Sequence, residues 1–130
     1  MLILTIRTDR PEAEVGLFED YQQLGYTVWY AHRELSVSLH KKIDGLLHDS
    51  GKKLTDLQGI IGFVGPGSFT GLRIGLSVAN AFAYGLGIAI VASRGDDWIR
   101  KGIAGLQRGD NVKTVIPEYG ALPHITTQRK

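Results

Sequence analysis

Residues 59–85 read Gly59-Ile60-Ile61-Gly62-Phe63-Val64-Gly65-Pro66-Gly67-Ser68-Phe69-Thr70-Gly71-Leu72-Arg73-Ile74-Gly75 and on through LSVANAFAY to Gly85, and this stretch decides the fold. Its first six residues are apolar or glycine with no polar alternation, the pattern of a strand buried on both faces. Gly65-Pro66-Gly67-Ser68 turns the chain, and residues 69–84 then take helical spacing. Gly85 and Gly87 stop that helix, and Ile88–Ala92 is a second buried apolar run. Strand, helix and strand with a short crossover make a βαβ unit, which requires parallel pairing.

Upstream, the period changes. Leu39, Ile43, Leu46 and Leu47 fall at i, i+4, i+7 and i+8, one stripe of a helix over residues 36–50 with Ser36 as its N-cap. Before it, Leu2–Ile6, Val15–Phe18 and Gln22–Arg33 read as three short strands with brief connections, hence an antiparallel meander. Downstream, Trp98, Ile99, Ile103 and Leu106 predict a last helix over 96–108, capped by Asp96 or Asp97. Val112, Val115 and Ile116 suggest a brief extended segment, and the end beyond Pro117 reads as loosely ordered. The expected fold is α/β: a mixed five-stranded sheet with helices packed on it.

The bulk properties agree. The 130 residues make one ordinary domain with enough length for a core. With no cysteine there is no disulfide framework or thiolate metal site, which fits a reducing compartment. No apolar run is long enough to span a bilayer, and the start does not read as a signal peptide. A net charge of +2 is too small to argue for nucleic acid by itself. The 17 glycines, about 13% against a usual ~7%, direct attention to the turn.

A glycine turn between a strand and a helix points N–H groups at whatever sits there, which suits a phosphate. The turn fails both phosphate motifs: Gly71 is followed by Leu72-Arg73 rather than Lys and a hydroxyl residue, and Thr70 stands where a dinucleotide fingerprint needs its third glycine. Close packing is the better reading. Ser68 lacks the surroundings of a nucleophile elbow. His32, His40, His48 and His124 have no spacing that assembles a site, so they read as solvated or interface histidines. Arg7, Asp9, Glu12 and Glu14 read as scattered solvated charge.

The helix after the turn carries more. Around its wheel, Thr70, Arg73, Ser77, Asn80 and Tyr84 form one narrow polar face, and the apolar arc covers roughly 240° where one core contact needs about 100°. Gly71, Gly75 and Ala79 line up at i, i+4 and i+8, so another backbone could approach there. Such a helix wants the sheet and something more. The first helix meets part of that demand, and the rest suggests a partner protein.

GPGSFTGLRIGLSVANAFAYG closely resembles a segment of the TsaB (YeaZ) family. The likeness continues through Ile43-Asp44, Leu54-Thr55-Asp56-Leu57, Val115-Ile116-Pro117-Glu118-Tyr119 and Pro123-His124-Ile125-Thr126. It implies an actin-like or RNase H-like ATPase fold, here as residues 1–93 forming a first lobe (β-β-β-α-β-α-β) and residues 94–130 a C-terminal helix and tail packed on it, with most of a second lobe absent. Nucleotide-binding members of that superfamily carry an acid at the end of the first strand, where this chain has Arg7, and an arginine cannot serve Mg²⁺.

The implied function is a non-catalytic, cytoplasmic scaffold with no cofactor or metal of its own. It would pair with a TsaD-like subunit that transfers threonylcarbamoyl to the tRNA adenosine beside the anticodon. A TsaE-like ATPase is a candidate third component, tRNA is met only indirectly, and the chain alone would form a homodimer. The implied interface is the pair of first-lobe helices, with His40, Ile43, Leu47, Thr70, Ile74, Ser77, Val78 and Ala81 in contact and Gly71 and Gly75 allowing close approach. A bulky residue at Gly75 would then abolish pairing and leave the fold largely intact. The rival readings are a small nucleotide-binding domain using the Gly65–Gly71 turn, and a homodimeric scaffold with another role.

Overall fold

A computed structural model of the chain describes residues 1–31, 34–67 and 69–118. The meander forms as the pattern predicts: β1 (Leu2–Arg7), β2 (Glu12–Glu19) and β3 (Gln22–Tyr30) pair antiparallel. The helix α1 (Leu35–Asp49) leads to β4 (Gly59–Phe63), α2 (Phe69–Leu86) to β5 (Ala89–Ser93), and α3 (Trp98–Gln107) follows. β4 inserts beside β1, parallel to it, and β5 lies parallel to β4, giving the order β3-β2-β1-β4-β5. All five residues of β4 are buried, as its unbroken apolar run requires.

Alternation along the strands separates two cores. Leu2, Leu4 and Ile6 of β1 meet Leu39, Ile43, Leu47, Leu72, Leu76 and Ala79, so α1 and α2 share one face. Ile3, Ile61, Phe63 and Val91 point the other way, against Trp98, Ile103 and Leu106 of α3. Helix α3 packs chiefly on β5 and β4, while Val28 and Tyr30 of β3 stay exposed.

The ends of α1 differ from expectation. It starts at Leu35 with Glu34 at the N-cap position and no side-chain cap, so Ser36 sits inside the first turn, where its carbonyl accepts from His40 Nδ1 at 2.9 Å. Asp97 stands at the N-cap of α3 without capping it and pairs with Lys101 at 3.3 Å instead.

After α3 the chain turns back as a strap, residues 111–118, running antiparallel to α2 along its flank. Val112 donates its N–H to Ile90 O at 2.9 Å, and Glu118 donates to Val64 O at 2.7 Å. Between these ends the Asn80 carboxamide binds Val115 at both backbone groups: Nδ2 donates to its carbonyl at 3.0 Å, and Oδ1 accepts its N–H at 2.8 Å. Val115 is thereby pressed into the core.

Candidate functional site: the groove between two helices

The excess apolar surface of α2 is divided among three neighbours. Leu72, Leu76, Ala79 and Ala83 are buried, and Val78 nearly so, while Ile74 and Phe82 are only partly covered. Ser36 and His40 of α1 and Arg73, Ile74, Ser77, Val78, Ala81 and Phe82 of α2 line an open groove of about 350 Å³. The His40 and Phe82 rings face each other at 5.5 Å across it. Because a carbonyl oxygen only accepts, the Ser36 carbonyl fixes His40 Nδ1 as a donor and leaves Nε2 for a ligand or solvent. The floor is apolar and the rim carries one cation, Arg73.

Five of the expected contact residues, His40, Ile74, Ser77, Val78 and Ala81, therefore come together, and Thr70 is exposed on the same helix. Ile43 and Leu47 do not join them. Both are turned into the sheet, at 0% and 3% exposure, because the leucine stripe of α1 is its sheet-facing side. Gly75 is also corrected. It is buried against the end of β1, where a Cβ would lie 2.8 Å from Thr8 Cγ2, so its close approach is internal. Thr8 also donates from Oγ1 to the carbonyl of half-buried Gly71 at 2.7 Å. Ser36, Arg73 and Phe82, not expected as contacts, complete the groove; the His40–Phe82 pairing depends on how the two helices cross, which their spacing does not reveal.

The glycine turn is filled by its own chain. A Cβ on Gly67 would lie 2.5 Å from Asp9 Cβ, and one on Gly65 would collide with the carbonyl of Glu118; Gly65 also takes φ +112°. Close packing, rather than a phosphate cradle, is what these glycines serve. Ser68, His32 and the tail motif from Tyr119 to Lys130, with His124, lie outside the described residues.

Glu12 is exposed as expected, but the other charges around the end of β1 form an ordered lattice instead of scattered solvated groups. Arg7 Nε donates to Asp9 at 2.7 Å, and its guanidinium lies 3.9 Å from the Phe63 ring centroid. Arg10 pairs with Glu14 at 2.8 Å, and the Tyr26 hydroxyl donates to the other Glu14 oxygen at 2.5 Å. Burial, and then the bond and charge of Glu14, push the Tyr26 hydroxyl well above its ordinary range. Among the described residues no three His, Cys, Asp or Glu side chains are grouped to hold a metal ion. No helix among them is long and apolar enough to cross a membrane.

The model of the family described as TsaD, tRNA N6-adenosine threonylcarbamoyltransferase, matches residues 29–93, which include both groove helices and the glycine turn. The tRNA threonylcarbamoyladenosine biosynthesis protein TsaB of Bacillus subtilis is 33% identical over 92 residues, covering 71% of this chain and 40% of that protein. A tRNA N6-adenosine threonylcarbamoyltransferase of Chromobacterium violaceum is 44% identical over 111 residues, covering 70% of this chain and 31% of that protein. Among solved structures, YeaZ from Pseudomonas aeruginosa superposes with a TM-score of 0.67 at 26% identity, over 83% of this chain and 50% of that one. The chain thus spans less than half the length of these curated relatives. With a matched family model, TsaB and YeaZ among its relatives, and their mixed five-stranded sheet, the chain belongs to the TsaD family as a TsaB/YeaZ-like member.

Proposed function

We propose that this chain is a non-catalytic scaffold in tRNA threonylcarbamoyladenosine synthesis, pairing through the α1/α2 groove with a TsaD-like subunit that carries out the transfer. The observation that carries the reading is the groove itself. Two helices seated on one sheet leave an apolar groove in which Ile74, Ala81 and Phe82 remain at least partly open to solvent above buried Val78, the shape a partner helix fills. The name of the relatives supplies the pathway. The inactive role is supported by Arg7, engaged by Asp9 at the end of β1, and by a glycine turn packed against Asp9 and Glu118. Without a partner, the same face would serve a homodimer, since exposed apolar surface favours burial.

Light scattering on the chain alone, and then with TsaD from the same genome, tests this. A 1:1 complex with TsaD is expected. Ala81→Arg puts a charged side chain into the groove from an exposed position, and it should abolish the complex while leaving the melting temperature unchanged. A wild-type chain that ignores TsaD refutes the pairing, and an Ala81→Arg chain that binds normally refutes its location.

A further inference from the structure

The groove is too small to account for a stable pair. Eight residues line it, whereas a standard protein interface engages about 20–30 on each side. A partner seated there must therefore extend onto one flank or the other. The α1 flank offers one exposed apolar side chain, Val37 at 52%, among exposed Lys41, Asp44 and His48. The α2 flank offers two larger and more exposed ones among exposed Thr70, Arg73 and Ser77: Tyr84 is 91% exposed, and beside α2 the strap presents Ile116 at 73%.

Single exposed apolar side chains are ordinary. These two are set apart by what holds them. The strap is tied to Ile90 at one end and Val64 at the other, and Asn80 grips its middle at Val115, the residue before Ile116. Asn80 lies one helical turn from both Ser77, on the groove, and Tyr84. An apolar side chain presented on pinned backbone loses little freedom when it is covered, so its burial converts efficiently into affinity.

We infer that the partner's footprint crosses α2 and continues onto the strap, where Tyr84 and Ile116 act as a second anchor for the same TsaD-like subunit. The inference rests on the pairing proposed above. The groove positions the partner and the strap supplies the remaining contact area. The matching patch on the partner is apolar, and it lies beside the helix that enters the groove.

The test is the Kd for TsaD of wild type, Tyr84→Ser, Ile116→Ser, the double variant and Ala81→Arg. The light-scattering mass and melting temperature of each chain alone are measured alongside. Each single serine variant should weaken binding about tenfold, and the double on the order of a hundredfold. Should a serine variant melt early, Tyr84→Lys and Ile116→Lys replace it, since a lysine stem keeps local packing while its charge opposes burial. If the double variant binds TsaD like wild type while Ala81→Arg fails, the footprint ends at the groove; the inference falls and the pairing stands. If the double variant loses only self-association, the flank belongs to a second copy and the inference is overturned. If wild type itself does not bind TsaD, both fall.

Discussion

Gly75 offers a sharp test of how α2 is seated. Replacing it with alanine adds one methyl group, which would lie 2.8 Å from Thr8 Cγ2 and 2.9 Å from Thr8 Cβ, closer still to Oγ1. Thr8 cannot easily yield: it is 2% exposed, β-branched and bonded to the Gly71 carbonyl. The overpacking costs about 1–3 kcal/mol and the displaced hydrogen bond about 1 more. Alanine's better helix propensity returns about 1 kcal/mol. The net effect is a loss of about 1–3 kcal/mol, read as a lower urea midpoint at unchanged slope. Gly45→Ala is the control: nothing lies within 4 Å of its added methyl, so it should stabilise by up to about 1 kcal/mol. Adding Thr8→Ala to Gly75→Ala should recover part of the loss, a coupling of about 1 kcal/mol or more. If Gly75→Ala stabilises as Gly45→Ala does, the close contact of Gly75 with Thr8 is wrong.

Other perturbations address other parts of the molecule. Asn80→Ala removes both bonds to Val115 and should destabilise by about 2–4 kcal/mol, with amide exchange rising first at residues 112–118, whereas Ser77→Ala, an exposed neighbour, should stay within about 0.5 kcal/mol of wild type. The raised Tyr26 hydroxyl makes stability depend on alkaline pH. The folded chain holds that proton more tightly than the unfolded one, so the contribution is intact below about pH 10 and is lost as the pH rises beyond it. Chemical denaturation between pH 9 and pH 12 should show a smaller decline for Tyr26→Phe than for wild type; equal declines would mean that the Glu14 lattice does not hold the phenol.

The parts of this fold that were legible in the sequence are those set by local period. β4, α2 and β5 could be read because an unbroken apolar run, a glycine-proline turn and a helical stripe follow one another without ambiguity. The meander could be read from its breaks at Asp9-Arg10-Pro11 and Glu19-Asp20. Most of what failed depended on pairs distant in sequence. The i, i+4 stripe of α1 marks a buried side, but spacing alone does not say whether sheet or partner covers Ile43 and Leu47. The small-residue line reads Gly75 as a gap for another chain because its true neighbour, Thr8 just after β1, is far away in sequence. Tyr26 reaches Glu14 only once β2 and β3 pair, whereas Arg7–Asp9 and Arg10–Glu14 are local pairs whose geometry, not their distance in sequence, hides them. The groove was half legible: the width of the apolar arc showed that α2 needed another neighbour, and only the crossing of α1 showed where.

One face of the sheet carries both α1 and α2, and the opposite face, where α3 leaves it open, is lined by the hydroxyl, carboxylate and guanidinium of Tyr26, Glu14 and Arg10. The molecule consequently has a valence of one on its groove side. Two copies joined isologously there consume the surface on both and leave nothing for a third, so such a pair closes and does not grow into a filament. Were a second copy and another partner both to use that face, each would exclude the other, and the concentration of each relative to its dissociation constant would set which pair is populated.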